Sequence, residues 1–227
     1  MRKFEGFDFL RAIFSIAIVA DHTDLFTLAT IYGVSSITDL LYANFSYIAV
    51  PVFLQISLFL VFLKSEKVEF QKFFQNRIIR LISLYLFWVI SLVLFKLFFK
   101  EGGAGISKLG SLSIRGWIEF IVSGGNSPFY FFFSLIFVTA LAALLVLFFK
   151  KTGNYSRKIG VSYWLFFISC ILIFSFSIID PIFTRIYVGN RESSIILTVS
   201  NIVNWNYNPL NFLPYIFTAA IVVQEFD

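Results

Sequence analysis

Arg11 and His22 both fall inside the first long apolar stretch of the chain. An ionisable side chain in hydrocarbon costs roughly 2.5 to 3.5 kcal/mol on insertion scales, so its presence there points to a functional site. On an α-helix the step from Arg11 to His22 is about three turns, ~16 Å of rise and only ~20° of rotation. Both therefore lie on one face. Asp8 and Ser15 fall within about 60° of Arg11 on the same helix, so a polar stripe is expected there, turned towards protein or water rather than lipid.

The two residue types suit a transfer reaction. A guanidinium is permanently charged and grips phosphate or carboxylate through paired donors. An imidazole can take a proton from a hydroxyl nucleophile and return it. If the N-terminus is cytoplasmic, Arg11 sits near the inner leaflet and His22 further across, an order that fits a phosphorylated donor from the cytoplasm and an acceptor beyond. Plainer readings stay open. Arg11 can snorkel to headgroups or pair with Asp8, and His22, followed by Thr23 and Asp24, can be a helix end emerging into water. Asp21 points roughly 100° away from His22, so an orienting carboxylate would come from another element, with Glu119 the candidate.

These residues must be positioned by membrane helices. Of 227 residues 59% are hydrophobic and 14% charged, with 32 Phe, and mean hydropathy is +0.86, far from a soluble domain. Spans are expected near residues 7–28, 45–63, 78–99, 129–149, 161–179 and 210–223, the sixth being short and containing Pro214. The fold class is thus an all-α polytopic transmembrane bundle of about six spans in a single domain. With both termini cytoplasmic, Arg2, Lys3, Lys64, Lys67, Lys72, Arg77, Arg80, Lys150, Lys151, Arg157 and Lys158 lie inside, and only Lys96, Lys100, Lys108, Arg115, Arg185 and Arg191 lie outside. The positive-inside rule favours that orientation.

The net charge of +5 then reads as topology determinants facing anionic lipid, and no nucleic-acid partner is expected. One Cys and one His exclude an internal disulfide and leave too few ligands for a Cys/His metal site. The first span resembles a signal peptide in its charged start, but Asp8 and Arg11 interrupt it and Ile18 occupies a cleavage-site position that wants a small residue, so an uncleaved helix is expected.

Between the spans, Phe70, Phe73 and Phe74 among Lys67, Lys72 and Arg77 form a basic amphipathic segment expected on the cytoplasmic leaflet and running into span three. Ile195, Ile196, Val199, Ile202 and Val203 make a second such stripe before span six. Residues 101–110 read as a flexible Gly-rich loop, and residues 123–128 as a turn ending with Pro near the start of span four.

Four segments, in order, resemble the acyltransferase-3 family of integral membrane O-acyltransferases. They are Phe7-Asp8-Phe9-Leu10-Arg11-Ala12-Ile13 with its apolar run to His22, then Val50-Pro51-Val52-Phe53-Leu54-Gln55-Ile56-Ser57, then Arg77-Ile78-Ile79-Arg80-Leu81 with Tyr85, and Asn211-Phe212-Leu213-Pro214-Tyr215. The resemblance implies transfer of an acyl group, commonly acetyl from acetyl-CoA, to a hydroxyl of an extracytoplasmic carbohydrate or other envelope acceptor. It implies His22 as catalytic base and Arg11 as support for the donor or the site. It also implies Arg77 and Arg80 as cytoplasmic-side contacts to the CoA phosphates, although the pair also fits an orientation signal at a helix start. Acyl-CoA is a substrate here, and no bound cofactor is expected. Ser57 and Pro51 match the pattern and read as packing and helix-start residues.

The chain also departs from the pattern. Leu58 stands where the family usually has Gly, which is expected to remove a close helix approach. Ser83 replaces a common Pro, residues 127–130 match a His/Trp-richer segment only loosely, and the chain is expected to be C-terminally short of its relatives. The competing readings are an inactive or truncated relative serving as a membrane scaffold, and a transporter of a lipid-linked sugar.

Overall fold

A computed structural model describes residues 5–22, 47–65, 69–95, 114–125, 127–152, 155–189 and 208–226. Among them there is no strand. The helices are α1 (Glu5–His22), α2 (Tyr47–Ser65), α3 (Phe70–Phe95), α4 (Ile114–Val122), α5 (Tyr130–Thr152), α6 (Tyr155–Gly189) and α7 (Leu213–Phe226), the last preceded by a 3-10 turn, Pro209–Phe212. Long apolar runs become helices because hydrocarbon offers the backbone no partner except itself.

The long helices alternate in direction. Phe7 near the start of α1 meets Phe59 late in α2 edge-on, with ring centroids 5.4 Å apart. At one end of α3 the Lys150 ammonium of α5 lies 4.9 Å from the centre of the Phe70 ring; at the other, Trp88 stacks on Phe129 just ahead of α5, at 5.4 Å. The Tyr163 hydroxyl, early in α6, donates to Glu225 Oε1 at the finish of α7, 3.0 Å away. By contrast α2, α5 and α7 run together, since Phe53 meets Phe131, Pro51 and Pro214 of the early turns of α2 and α7 line one cavity, and nearer mid-helix the Thr218 hydroxyl donates to Gln55 Oε1 at 3.0 Å. One end of the bundle therefore gathers Lys64, Phe70, Lys150 and Glu225, and the opposite end holds the finish of α1 at His22.

Helix α2 is central, with α1, α3, α5 and α7 all against it. Its fully buried Leu54, Leu58 and Val61 join Val138 and Ala142 of α5 and Ile216 and Ala219 of α7 in the core. Leu58 thus fills the core rather than leaving a loose contact. Small residues on the facing helices, Ala142, Ala143, Ala219 and Ala220, provide the close approach that a glycine on α2 would otherwise give. The periphery is inverted relative to a soluble protein: Ile79, Phe87 and Ile90 of α3 and Trp164, Phe167 and Phe174 of α6 are exposed, as a lipid-facing surface requires.

Helices α2, α3, α5 and α6 are each long and apolar enough to cross a bilayer. The basic segment before span three is not a separate element, because α3 runs unbroken through Arg77 and Arg80. The short sixth span has a structural explanation. Fourteen residues of α7 rise ~21 Å, and the 3-10 turn of four adds ~8 Å, so together they approach the ~30 Å hydrocarbon thickness. Pro214 sits in the first turn of α7, where its missing N–H costs no helical bond.

Between α3 and α5 lies α4, a nine-residue helix that exposes Ile114, Trp117, Ile118 and Ile121 along one side. The Tyr85 hydroxyl of α3 donates to the Ile121 carbonyl and ties down the finish of α4. The expected turn follows. Gly124 and Gly125 both have positive φ, 59° and 73°, and Gly125 N–H donates to Phe120 O at 2.8 Å, a left-handed helix stop. Ser127 Oγ accepts from Phe129 N–H at 3.2 Å and so caps the entrance to α5. The loop expected at residues 101–110 and the amphipathic stripe expected at residues 195–203 lie outside the described residues.

Candidate active site

Helix α1 presents two different sides. Phe14, Ala17 and Ala20, three residues apart, are its buried side. The stripe carrying Asp8, Arg11 and Ser15 lies roughly 140° away. Ser15 is exposed, and the Asp8 and Arg11 side chains are 67% and 38% exposed, so the stripe flanks the bundle instead of entering its core. Small and aromatic residues at a spacing of three pack better against α2 than charged ones would, which sets the rotation of α1. Arg11 Nη1 and Asp8 Oδ1 are 3.8 Å apart, a loose pair worth little at that exposure. His22 closes α1, ~16 Å along the axis from Arg11.

Arg77 lies two turns into α3 and points at α2. Its Nη2 donates to the Ser57 hydroxyl at 2.5 Å and to the Ser57 carbonyl at 3.2 Å. Its Nε is buried and has no hydrogen-bond partner among the described residues. Arg11 of α1 and Arg80, three residues further along α3, are both near enough to Arg77 to act on it electrostatically. The structure therefore brings together three of the residues singled out from the sequence, Arg11, Arg77 and Arg80, with Ser57 supporting the central one. Three guanidiniums within electrostatic reach, with Asp8 only loosely paired to one of them, leave this region locally positive.

Glu119 is placed differently. It is exposed on α4, the helix tied to Tyr85 and to the start of α5. It belongs to neither the Arg77 site nor the core.

A concavity lies elsewhere. About 640 Å³ opens between α2, α6 and the start of α7, lined by Pro51, Gln55, Cys170, Phe174, Tyr215 and Thr218 among others. None of Arg11, Arg77, Arg80 or Glu119 lines it. Pro51 and the Asn211–Tyr215 segment, singled out by their pattern, line this cavity and not the arginine site.

Two contacts are not legible in the sequence. Ser57 matches the motif as a packing or supporting residue, and its oxygens hold Arg77. Tyr85 belongs to the motif of the third span, and its hydroxyl anchors α4. Helical phase gives no signal for either, because each depends on the register between two helices.

No curated protein and no solved structure matches the chain. A family model described as an acyltransferase domain matches residues 4–224, taking in α1 to α6 whole and all but the last two residues of α7. The first helix with Arg11 and His22, the Ser57 segment, the paired arginines of α3 and the start of α7 all fall within that match, and the chain belongs to the acyltransferase-3 family of membrane proteins.

Proposed function

We propose that this protein moves an acyl group, acetyl in the first instance, from a cytoplasmic acyl-CoA to a hydroxyl of an extracytoplasmic carbohydrate or related envelope acceptor. The observation that carries the reading is Arg77, clasped by Ser57 with its Nε buried and unmatched among the described residues, within electrostatic reach of Arg11 and Arg80. Arginines from different helices tolerate such proximity at a cost that an anionic ligand relieves, and the phosphates of CoA supply that charge. The orientation that goes with it has both termini in the cytoplasm.

In this mechanism the arginines hold the donor phosphates, and the extended arm between phosphates and thioester in CoA covers a distance of the order that separates Arg11 from His22. The acceptor hydroxyl gives its proton to the His22 imidazole as its oxygen bonds to the thioester carbonyl carbon. Collapse of the tetrahedral intermediate breaks the carbon–sulfur bond, and the imidazolium returns the proton to the departing thiolate. The products are the O-acyl ester and free CoA. Glu119 is a candidate to orient the imidazole, and Asp8 to steady Arg11.

Kinetics separate the two roles. Arg11→Met is expected to raise KM for acyl-CoA, and His22→Ala to lower kcat with the donor still bound. A transporter would move its substrate without forming an ester, and a scaffold would be indifferent to both substitutions. Ester formation that persists unchanged in His22→Ala would remove the proposed base.

A further inference from the structure

Ser57 lies in α2, twenty residues before Arg77 in the chain, and meets it across the helix interface. A guanidinium has five N–H donors in a rigid plane, so fixing one nitrogen fixes the direction of the others. Here Nη2 is fixed twice, by the Ser57 hydroxyl at 2.5 Å and by the carbonyl of the same residue at 3.2 Å. Nε, on the same plane, is buried without an acceptor among the described residues. A buried donor on a permanent charge is costly to leave unmatched, and buried polar atoms of native proteins are nearly always satisfied. The serine therefore aims a group whose buried Nε–H has no acceptor among the described residues.

We infer that Ser57 is the positioning residue of the donor site, locking the Arg77 plane so that its buried Nε meets an anionic oxygen of the acyl donor. The inference rests on the donor reading above. Ser57 touches no substrate and acts only through Arg77. Its carbonyl would hold the guanidinium in any variant, whereas the hydroxyl gives the shorter contact and sets the rotation.

The test is equilibrium binding of radiolabelled acetyl-CoA to the purified protein in lipid nanodiscs, with melting temperature followed in parallel. Ser57→Ala is expected to weaken binding about tenfold, the equivalent of ~1.4 kcal/mol, with the melting temperature lowered by no more than a few degrees because the Ser57 carbonyl still accepts from Arg77. Ser57→Thr, which keeps the hydroxyl, restores binding. In an Arg77→Lys background the further change Ser57→Ala has no effect, because the plane it aims is gone. Binding by Ser57→Ala equal to that of the unsubstituted protein overturns the inference, as does a penalty that persists undiminished beside Arg77→Lys. Absence of saturable binding by the unsubstituted protein overturns the donor reading itself, and the positioning role with it.

Discussion

Replacing Arg77 by Met separates a structural arginine from a ligand-binding one. Methionine matches the length of the stem and fills the same space between α3 and α2 without charge. The fold would lose one charge-assisted hydrogen-bonded contact, Nη2 to Ser57, worth roughly 1.5–3 kcal/mol by general experience. Against this it would shed a buried Nε with no acceptor and the repulsion of Arg11 and Arg80. Exchanging a poorly compensated buried charge for an apolar residue of similar volume is commonly neutral or stabilising by about 1–4 kcal/mol. The two effects are of similar size, so the melting temperature of Arg77→Met in detergent or nanodiscs is expected to stay within a few degrees of the original or to rise. Donor binding behaves differently. Loss of one charge-assisted contact to a phosphate, about 2 kcal/mol, weakens acetyl-CoA binding roughly 30-fold. A variant that unfolds early but binds acetyl-CoA with unchanged affinity would refute this reasoning and make Arg77 a structural clamp.

The turn before α5 offers a paired stability test. A Cβ on Gly124 would stand 2.8 Å from both Phe129 C and Tyr130 N, backbone atoms that cannot move aside, at a positive φ of 59°. Gly124→Ala is expected to destabilise by about 2–3 kcal/mol. At Gly160 of α6 nothing lies within 4 Å, so Gly160→Ala is expected to stabilise by about 0.5–1 kcal/mol; thermal melts that rank the two in the opposite order contradict the described turn. Tyr85→Phe deprives the Ile121 carbonyl of its donor, costs about 1 kcal/mol, and should speed hydrogen exchange in residues 114–122 while leaving α2 protected. Unchanged exchange there would mean that α4 is held by other contacts.

Much of the architecture is legible in the residue order, because crossing hydrocarbon demands long apolar helices and little else. The runs that become α2, α5 and α6 announce themselves by length alone. Helix α4 does not: nine residues between Ser and Gly clusters give no span signal, and its place depends on Tyr85 reaching Ile121 from another helix. On α1 the angular arithmetic groups Asp8, Arg11 and Ser15 correctly, but it cannot say what lies opposite them. That was settled by Phe14, Ala17 and Ala20, whose small or flat side chains win the contact with the bundle. Arg77 and Arg80 stand out as charges at a helix start, and Arg11 as a charge inside one. Their convergence, and the Ser57 clasp beneath it, arise from inter-helix register, which a single sequence does not encode in any local pattern. Leu58 shows the same limit in reverse, since a departure that looks disruptive along α2 is offset by alanines on α5 and α7.

Transfer across the membrane from a cytoplasmic donor is tested most directly by sidedness. Inverted vesicles, with their cytoplasmic face outward, and right-side-out vesicles would each receive external radiolabelled acetyl-CoA, with a carbohydrate acceptor on the extracytoplasmic face and with either the unsubstituted chain or His22→Ala. Base-labile label is expected in carbohydrate only in inverted vesicles and only with the unsubstituted chain. Label in right-side-out vesicles, or equal label in His22→Ala, would contradict this reading.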